Sequence, residues 1–290
     1  MHKFLRSIGF SEITKKDMET VLREIMDAPE LVCATRDSEG NEFAELSKNF
    51  APEVGITVRG TYREDGTFEM DYYYPYMLGT SITTREQIDV EKHAEKESYA
   101  GVCDELNLGV TLIFYLQNVA EYLSEFGRRG SGVSCGAMLA GLSVDGKILF
   151  PIRDSVGGEK ANVQSSEVRT QLIAQAREGD EEAIENLTLG DMDTYAILSQ
   201  RIANEDILTI VKSTFMPYGI ESDHYSILGE ILDFACLENS VTHEKMYGLK
   251  VSCNDIIFHI CINANDLLGE PDIGRRFKGS VWLQGRLCLQ

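Results

Sequence analysis

The stretch ITVRGTYREDGTFEMDYYY, residues 56–74, decides how this chain is read. Branched and aromatic residues alternate with polar ones on both sides of Glu64-Asp65-Gly66, the pattern of two strands joined by a tight turn. Register then fixes the loop length. A three-residue loop with Gly66 left-handed sets Arg63 against Thr67, Thr61 against Glu69 and Arg59 against Asp71. It leaves Ile56, Val58, Gly60 and Tyr62 facing Phe68, Met70, Tyr72 and Tyr74. A two-residue Asp65-Gly66 loop would put Tyr62 opposite Glu69 and Arg63 opposite Phe68, mixing polar with apolar on both faces. The expectation is an antiparallel hairpin with a three-residue loop, with Tyr72, Tyr74 and Tyr76 in the core.

Upstream, Thr14 with Asp17 three residues on resembles a helix cap, and Met18, Val21, Leu22 and Ile25 recur at helical spacing until Pro29. Leu31 to Tyr76 reads as antiparallel sheet. Downstream, Thr84 to Glu105 reads as a charged helix, and Leu108 to Phe126 begins β-branched and ends suited to a helix. Asp145-Gly146, between the apolar halves of Val133 to Ile152, predicts a central covered hairpin. From Ser166 to Pro217 the pattern is helical, with acidic residues gathered where helices begin. Asn254-Asp255 as a two-residue turn pairs Val251 with Phe258 and Leu249 with Ile260 on one face, and Ser252 with Ile257 and Lys250 with His259 on the other.

These elements predict an α+β chain, with mainly antiparallel sheet regions at both ends and a central helical block. The polar, glycine-containing stretch from Arg153 to Ser166 divides an N-terminal α+β region, 1–155, from a C-terminal region, 156–290. The latter holds helices over 163–216 and antiparallel strands over 225–290; one continuous domain is the alternative.

Across 290 residues, 47 acidic side chains outnumber 27 basic ones, for a formal charge of −20. Such a field repels phosphate backbones and anionic headgroups, so nucleic acid and membrane are not expected partners. The seven cysteines include no C-x-x-C pair and read as reduced, buried small hydrophobes. Met1 to Phe10 runs into Glu12, Lys15, Lys16 and Asp17 before a signal-length apolar stretch forms, and Leu108 to Leu116 is far too short to span a membrane. A cytoplasmic protein is expected.

Several patterns carry possible chemistry. Gly132-Val133-Ser134-Cys135-Gly136 matches G-x-S-x-G, in which a strand-to-helix turn exposes a serine nucleophile. The residues after Ser134 are strand-like, and the base would have to come from His224, His243 or His259 downstream. Gly141 to Lys147 fits the first seven positions of a phosphate-binding loop, but Ile148 stands where a hydroxyl should bind magnesium. Asp89, His93 and Glu97, at i, i+4 and i+8 of a helix, are the nearest approach to a metal site, a stripe equally suited to exposed charge pairs. Arg275, Arg276 and Lys278 form a basic island that can receive an anion or an acidic partner, or simply be solvated. No cofactor is expected.

With the stretches MHKFLRSIGF, GDEEAIENLTLGDMDTYAILSQRI, FMPYGIESDHYSILGEI and GRRFKGSVWLQG, the chain resembles, over nearly its full length, an uncharacterised bacterial family of unknown function. That resemblance implies a cytosolic bacterial protein of one recurrent architecture and supplies no activity, cofactor or catalytic residue. The expected function is a non-catalytic cytoplasmic binding or assembly protein, partnered by itself or by another protein through a sheet edge or the apolar Val133–Ile152 segment. The alternative is a serine-type hydrolase or transferase acting on a small molecule through Ser134 and a downstream histidine.

Overall fold

A computed structural model gives the fold and describes residues 1–37, 39–92, 98–105, 108–126, 136–152 and 211–289, together with Gln175, Asp180, Ala183 and Leu208. Of these residues 54% are strand and 15% helix, and five strands close a barrel, so the expected α+β architecture is corrected to a mostly β one. Two misread segments explain much of the difference. The presumed charged helix over 84–105 contains two strands, Asp89–Lys92 and Tyr99–Glu105. The presumed Asp145-Gly146 hairpin is the interior of one strand, Ala137–Leu149. Most of the expected helical block, 163–216, lies outside the described residues, and its end, Thr214–Pro217, is a strand.

The first sheet has β1 (Leu31–Arg36), β2 (Glu42–Ala51), β3 (Val54–Tyr62) and β4 (Phe68–Met77) in sequence order, all antiparallel. Helix α1 (Lys15–Asp27) packs over it, its first turn capped by the Thr14 hydroxyl, which accepts from the Asp17 N–H at 3.2 Å. Met18, Val21, Leu22 and Ile25 form its buried stripe, as their spacing requires. The β3–β4 loop has three residues, with Gly66 at φ 82° and the Arg63 N–H donating to the Thr67 carbonyl at 2.9 Å. Register follows expectation as far as Gly60 opposite Met70; a bulge then inserts Asp71, so Arg59 faces Tyr72. The bulge turns Tyr72, Tyr74 and Tyr76 onto the face of Arg59, away from that of Val58. At Gly60 the strands are too close for any side chain, since a Cβ there would lie 2.0 Å from the Glu69 carbonyl oxygen.

The second sheet comprises β5 (Asp89–Lys92), β6 (Tyr99–Glu105), β7 (Val110–Leu116), β8 (Ala137–Leu149), β9 (Thr214–Pro217), β10 (His224–Glu238), β11 (Lys245–Cys253), β12 (Ile256–Asn263), β13 (Leu267–Leu268) and β14 (Arg276–Leu287). The barrel runs β8-β12-β11-β10-β14 and returns to β8, with only β8–β12 parallel. It draws β8 from before residue 155 and its other four strands from after it. Beyond it, β7 joins β14 and carries β6 and β5, followed in the chain by the short helix α2 (Val119–Phe126). The Asn254-Asp255 turn has both residues left-handed, φ 46° and 66°, and gives the expected pairing at all four positions.

Alternate positions of the barrel strands, among them Leu139, Ile227, Val251, Phe258, Ile260, Val281 and Leu283, belong to one buried cluster that fills the barrel. Gly146 serves this packing: a Cβ there would meet Phe277 at 2.6 Å and Ile262 at 2.8 Å. A second cluster lies between the four-stranded sheet with α1 and the outer wall of the barrel, represented there by Ala140, Leu142, Cys261 and Trp282. No helix among the described residues is long and apolar enough to cross a membrane.

Candidate functional site

A sheet edge carries a row of unpaired N–H and C=O groups and invites a further strand unless shortness, charge, proline, a bulge or a cover prevents it. Most edges here have such protection. β5 is four residues long and includes Asp89, Glu91 and Lys92. β9 is also four residues long and ends in Pro217, while β13 has only two residues. The free half of β4 carries Glu69, Asp71 and the bulge, and its other half packs against β8 and β12. The second half of β10 has a bulge between Ile231 and Asp233 and an acid at each end, Asp233 and Glu238.

The edge at β1 differs. Leu31 to Thr35 contain no charge, proline or bulge, and pair in unbroken register with β2 from Leu31–Ser47 to Arg36–Glu42. Among the described residues nothing pairs with the other side of β1. Helix α2 packs more closely against β1 than against any other strand, and Cys33 joins Tyr122 and Leu123 against the main cluster, while Leu31 and Val32 remain 52% and 51% exposed. The charges stand at the ends: Glu30, whose Oε2 accepts from the Asn49 N–H at 3.0 Å, and Arg36.

Behind this edge lies a residue expected from the sequence opposite Asp71. Arg59, in β3, is fully buried, with Glu45 of β2 opposite it. Its Nε donates to Glu45 Oε1 at 2.7 Å; Nη1 donates to the hydroxyls of Tyr72 and Tyr115 at 2.9 and 2.7 Å; Nη2 donates to the carbonyls of Leu116 and Gln117 at 2.8 and 3.1 Å. All five guanidinium N–H groups are engaged. The rings of Tyr72, Tyr74 and Tyr115 surround the charge at 4.7–5.7 Å. Glu45 Oε2 accepts from the Ala120 N–H at 3.1 Å, in the first turn of α2, so the pair also fixes that helix beside β1. Burial pushes the Glu45 carboxyl above its usual range even with Arg59 beside it. A saturated guanidinium of this kind ties two sheets together and has no donor left for a ligand.

His224, the first residue of β10, donates its Nδ1–H to Asp223 Oδ1, 2.9 Å away, while Asp223 Oδ2 accepts from the Trp282 indole N–H at 2.7 Å. The His2 and Phe4 rings cover Trp282 at centroid distances of 4.8 and 5.4 Å. His2 Nδ1 accepts from the Phe4 N–H at 3.4 Å, and burial lowers its pKa to about 4, so it is neutral at pH 7. His243 is exposed, left-handed at φ 60°, and paired with Glu238 at 2.9 Å. His259 faces Lys250 and shares its Nε2 with the Thr80 hydroxyl at 3.2 Å.

Ser134, His93 and Glu97 lie outside the described residues, and Asp89 sits in a strand. No group of three or more His, Cys, Asp or Glu side chains suited to a metal ion occurs among the described residues. In the basic island, Arg276 is buried and donates to the carbonyls of Phe150, Val211 and Leu208 at 3.1, 2.8 and 2.8 Å. Arg275 donates to the Glu270 carbonyl at 2.8 Å and lies over the Phe150 ring, while Lys278 stands opposite Lys147. The three side chains thus serve separate local contacts.

A family model described as "Domain of unknown function, E. rectale Gene description (DUF3881)" matches residues 5–285. No curated protein and no solved structure matches the chain.

Proposed function

The chain belongs to this family of unknown function, and we propose that it is a non-catalytic binding or assembly protein of the cytoplasm that takes up an extended polypeptide strand at β1. The supporting observation is the contrast among edges: β1 offers uncharged, half-exposed residues and, among the described residues, no strand partner on its outer side, where the other edges are short, charged or bulged. Strand addition uses main-chain hydrogen bonds for affinity, each worth about 0.5–1.5 kcal/mol net, and alternate side chains for specificity. The Glu45–Arg59 pair and α2 hold β1 from behind, so little order has to be created on docking.

A labelled synthetic peptide of residues 30–37 is the probe. Its fluorescence anisotropy should rise saturably with added protein, and Val32→Lys, an exposed position where the fold should survive, should abolish the rise. Absence of binding up to about 1 mM, where association is worth only ~4 kcal/mol, removes the proposal.

A second reading, a hydrolase or transferase acting on a small molecule, is favoured by one contact. Asp223 orients His224 as a carboxylate orients a general base, with Nε2 left to accept a proton from a nucleophile such as Ser134. Fluorophosphonate labelling lost in both Ser134→Ala and His224→Asn supports this reading; an unlabelled wild-type chain eliminates it.

A further inference from the structure

We infer that the strand taken up at β1 is the β1 of a second copy of this chain, paired antiparallel about a twofold axis to make one continuous sheet of eight strands. This inference rests on the reading of β1 as a docking edge and adds the identity of the partner.

Charge placement carries the argument. β1 has an acid immediately before it, Glu30, whose Oε2 accepts from the Asn49 N–H of β2 at 3.0 Å and leaves Oε1 for a further partner, and a base at its end, Arg36, both exposed, with only uncharged residues between. Antiparallel self-pairing with Cys33 on the axis sets Glu30 of each copy directly opposite Arg36 of the other, giving two ion pairs per interface. The same register sets Leu31 opposite Thr35 and Val32 opposite Ala34, which covers the two half-exposed apolar side chains. Slipping the register one residue places Glu30 against Asp37, like against like, and Leu31 against Arg36. Proline at position 29 bounds the pairing at one end.

The other long edge without a strand partner among the described residues lacks this complementarity. Self-pairing of the second half of β10 would bring Asp233 of one copy against Glu238 of the other at both ends, adding repulsion to a surface whose chain already carries −20. A symmetric contact at β1 matches its own charges, and one at β10 does not.

Sedimentation equilibrium of the full chain over about 1–100 μM tests the inference, within the range expected of a modest strand-pairing interface. The wild type should show a dimer. Glu30→Arg and Arg36→Glu should each weaken dimerisation about tenfold, because each creates two like-charge contacts per interface. The double variant Glu30→Arg/Arg36→Glu should recover to within about threefold of wild type. A merely structural role for Glu30 would leave the double variant as weak as the worse single variant. A chain that stays monomeric while the 30–37 peptide still binds refutes the second copy and leaves the docking edge standing; loss of both overturns both. A dimer indifferent to Val32→Lys and to the charge variants places the interface elsewhere and refutes the inference.

Discussion

Replacing Arg59 with methionine tests the interior of the first sheet most directly. The substitution keeps an unbranched apolar stem and removes the guanidinium with its charge, so Glu45 remains as a buried carboxylate whose principal partner is gone. The Leu116 and Gln117 carbonyls lose donors in the same step. Breaking one side of a buried pair costs about 3–5 kcal/mol, and the lost carbonyl contacts put Arg59→Met toward the upper end. For a chain of this size that corresponds to a Tm lower by on the order of 10 °C. Two controls separate charge from packing. Glu45→Met with Arg59→Met should be about 1–2 kcal/mol more stable than Arg59→Met alone, because no unpaired charge is left behind. The Arg59→Met deficit should also shrink on acidification. Burial already raises the Glu45 pKa, and without Arg59 the folded state binds its proton more readily than the unfolded state, which favours folding as pH falls. Urea titration followed by the fluorescence of Trp282, the single tryptophan, measures all of these. If Arg59→Met unfolds within about 1 kcal/mol of wild type, or if the double variant loses the sum of the two single losses, the network does not carry the stability assigned to it.

Three further outcomes are expected. Glu53, at φ 60° in the β2–β3 turn, occupies a left-handed position that favours glycine, so Glu53→Gly should raise stability by about 0.5 kcal/mol in the same titration. Gly60→Ala should cost more than ~2 kcal/mol, since its Cβ would lie 2.0 Å from the Glu69 oxygen; calorimetry showing a neutral effect would contradict the close approach of β3 and β4. His2, neutral in the folded chain with a pKa lowered to about 4, opposes folding when protonated. The stability of wild type relative to His2→Gln should therefore fall by about 2–3 kcal/mol as pH drops from 6.5 to 4 and then level off, and a pH-independent gap would exclude burial of the neutral ring against Trp282.

Features with a local cause were legible in the sequence. Helix α1 has its cap and its stripe within one segment, and the Gly66 and Asn254-Asp255 loops set their registers through turn chemistry alone. The misreadings have non-local causes. A glycine that admits the Phe277 ring looks the same in sequence as a glycine that makes a turn, so the interior of β8 read as a hairpin. The Asp71 bulge carries no local mark, yet it moves three tyrosines to the other face of the sheet. Arg59 was expected opposite Asp71, but its partners Tyr115, Leu116 and Gln117 lie far along the chain. That β1 is an edge depends on topology; the uncharged run from Leu31 to Thr35 would suit an interior strand equally well.

The parallel pairing of β8 with β12 has a consequence for synthesis on the ribosome. β8 emerges first among the barrel strands, and its antiparallel neighbour β14 begins about 130 positions later in the chain. At about 5–20 residues per second, roughly 6–25 s pass before both flanks of β8 can be occupied. During that interval a thirteen-residue strand, largely without charge, waits beside the nascent chain. Slowed translation between codons 150 and 276 should therefore lower the soluble yield, whereas the same slowing before codon 137 should leave it unchanged.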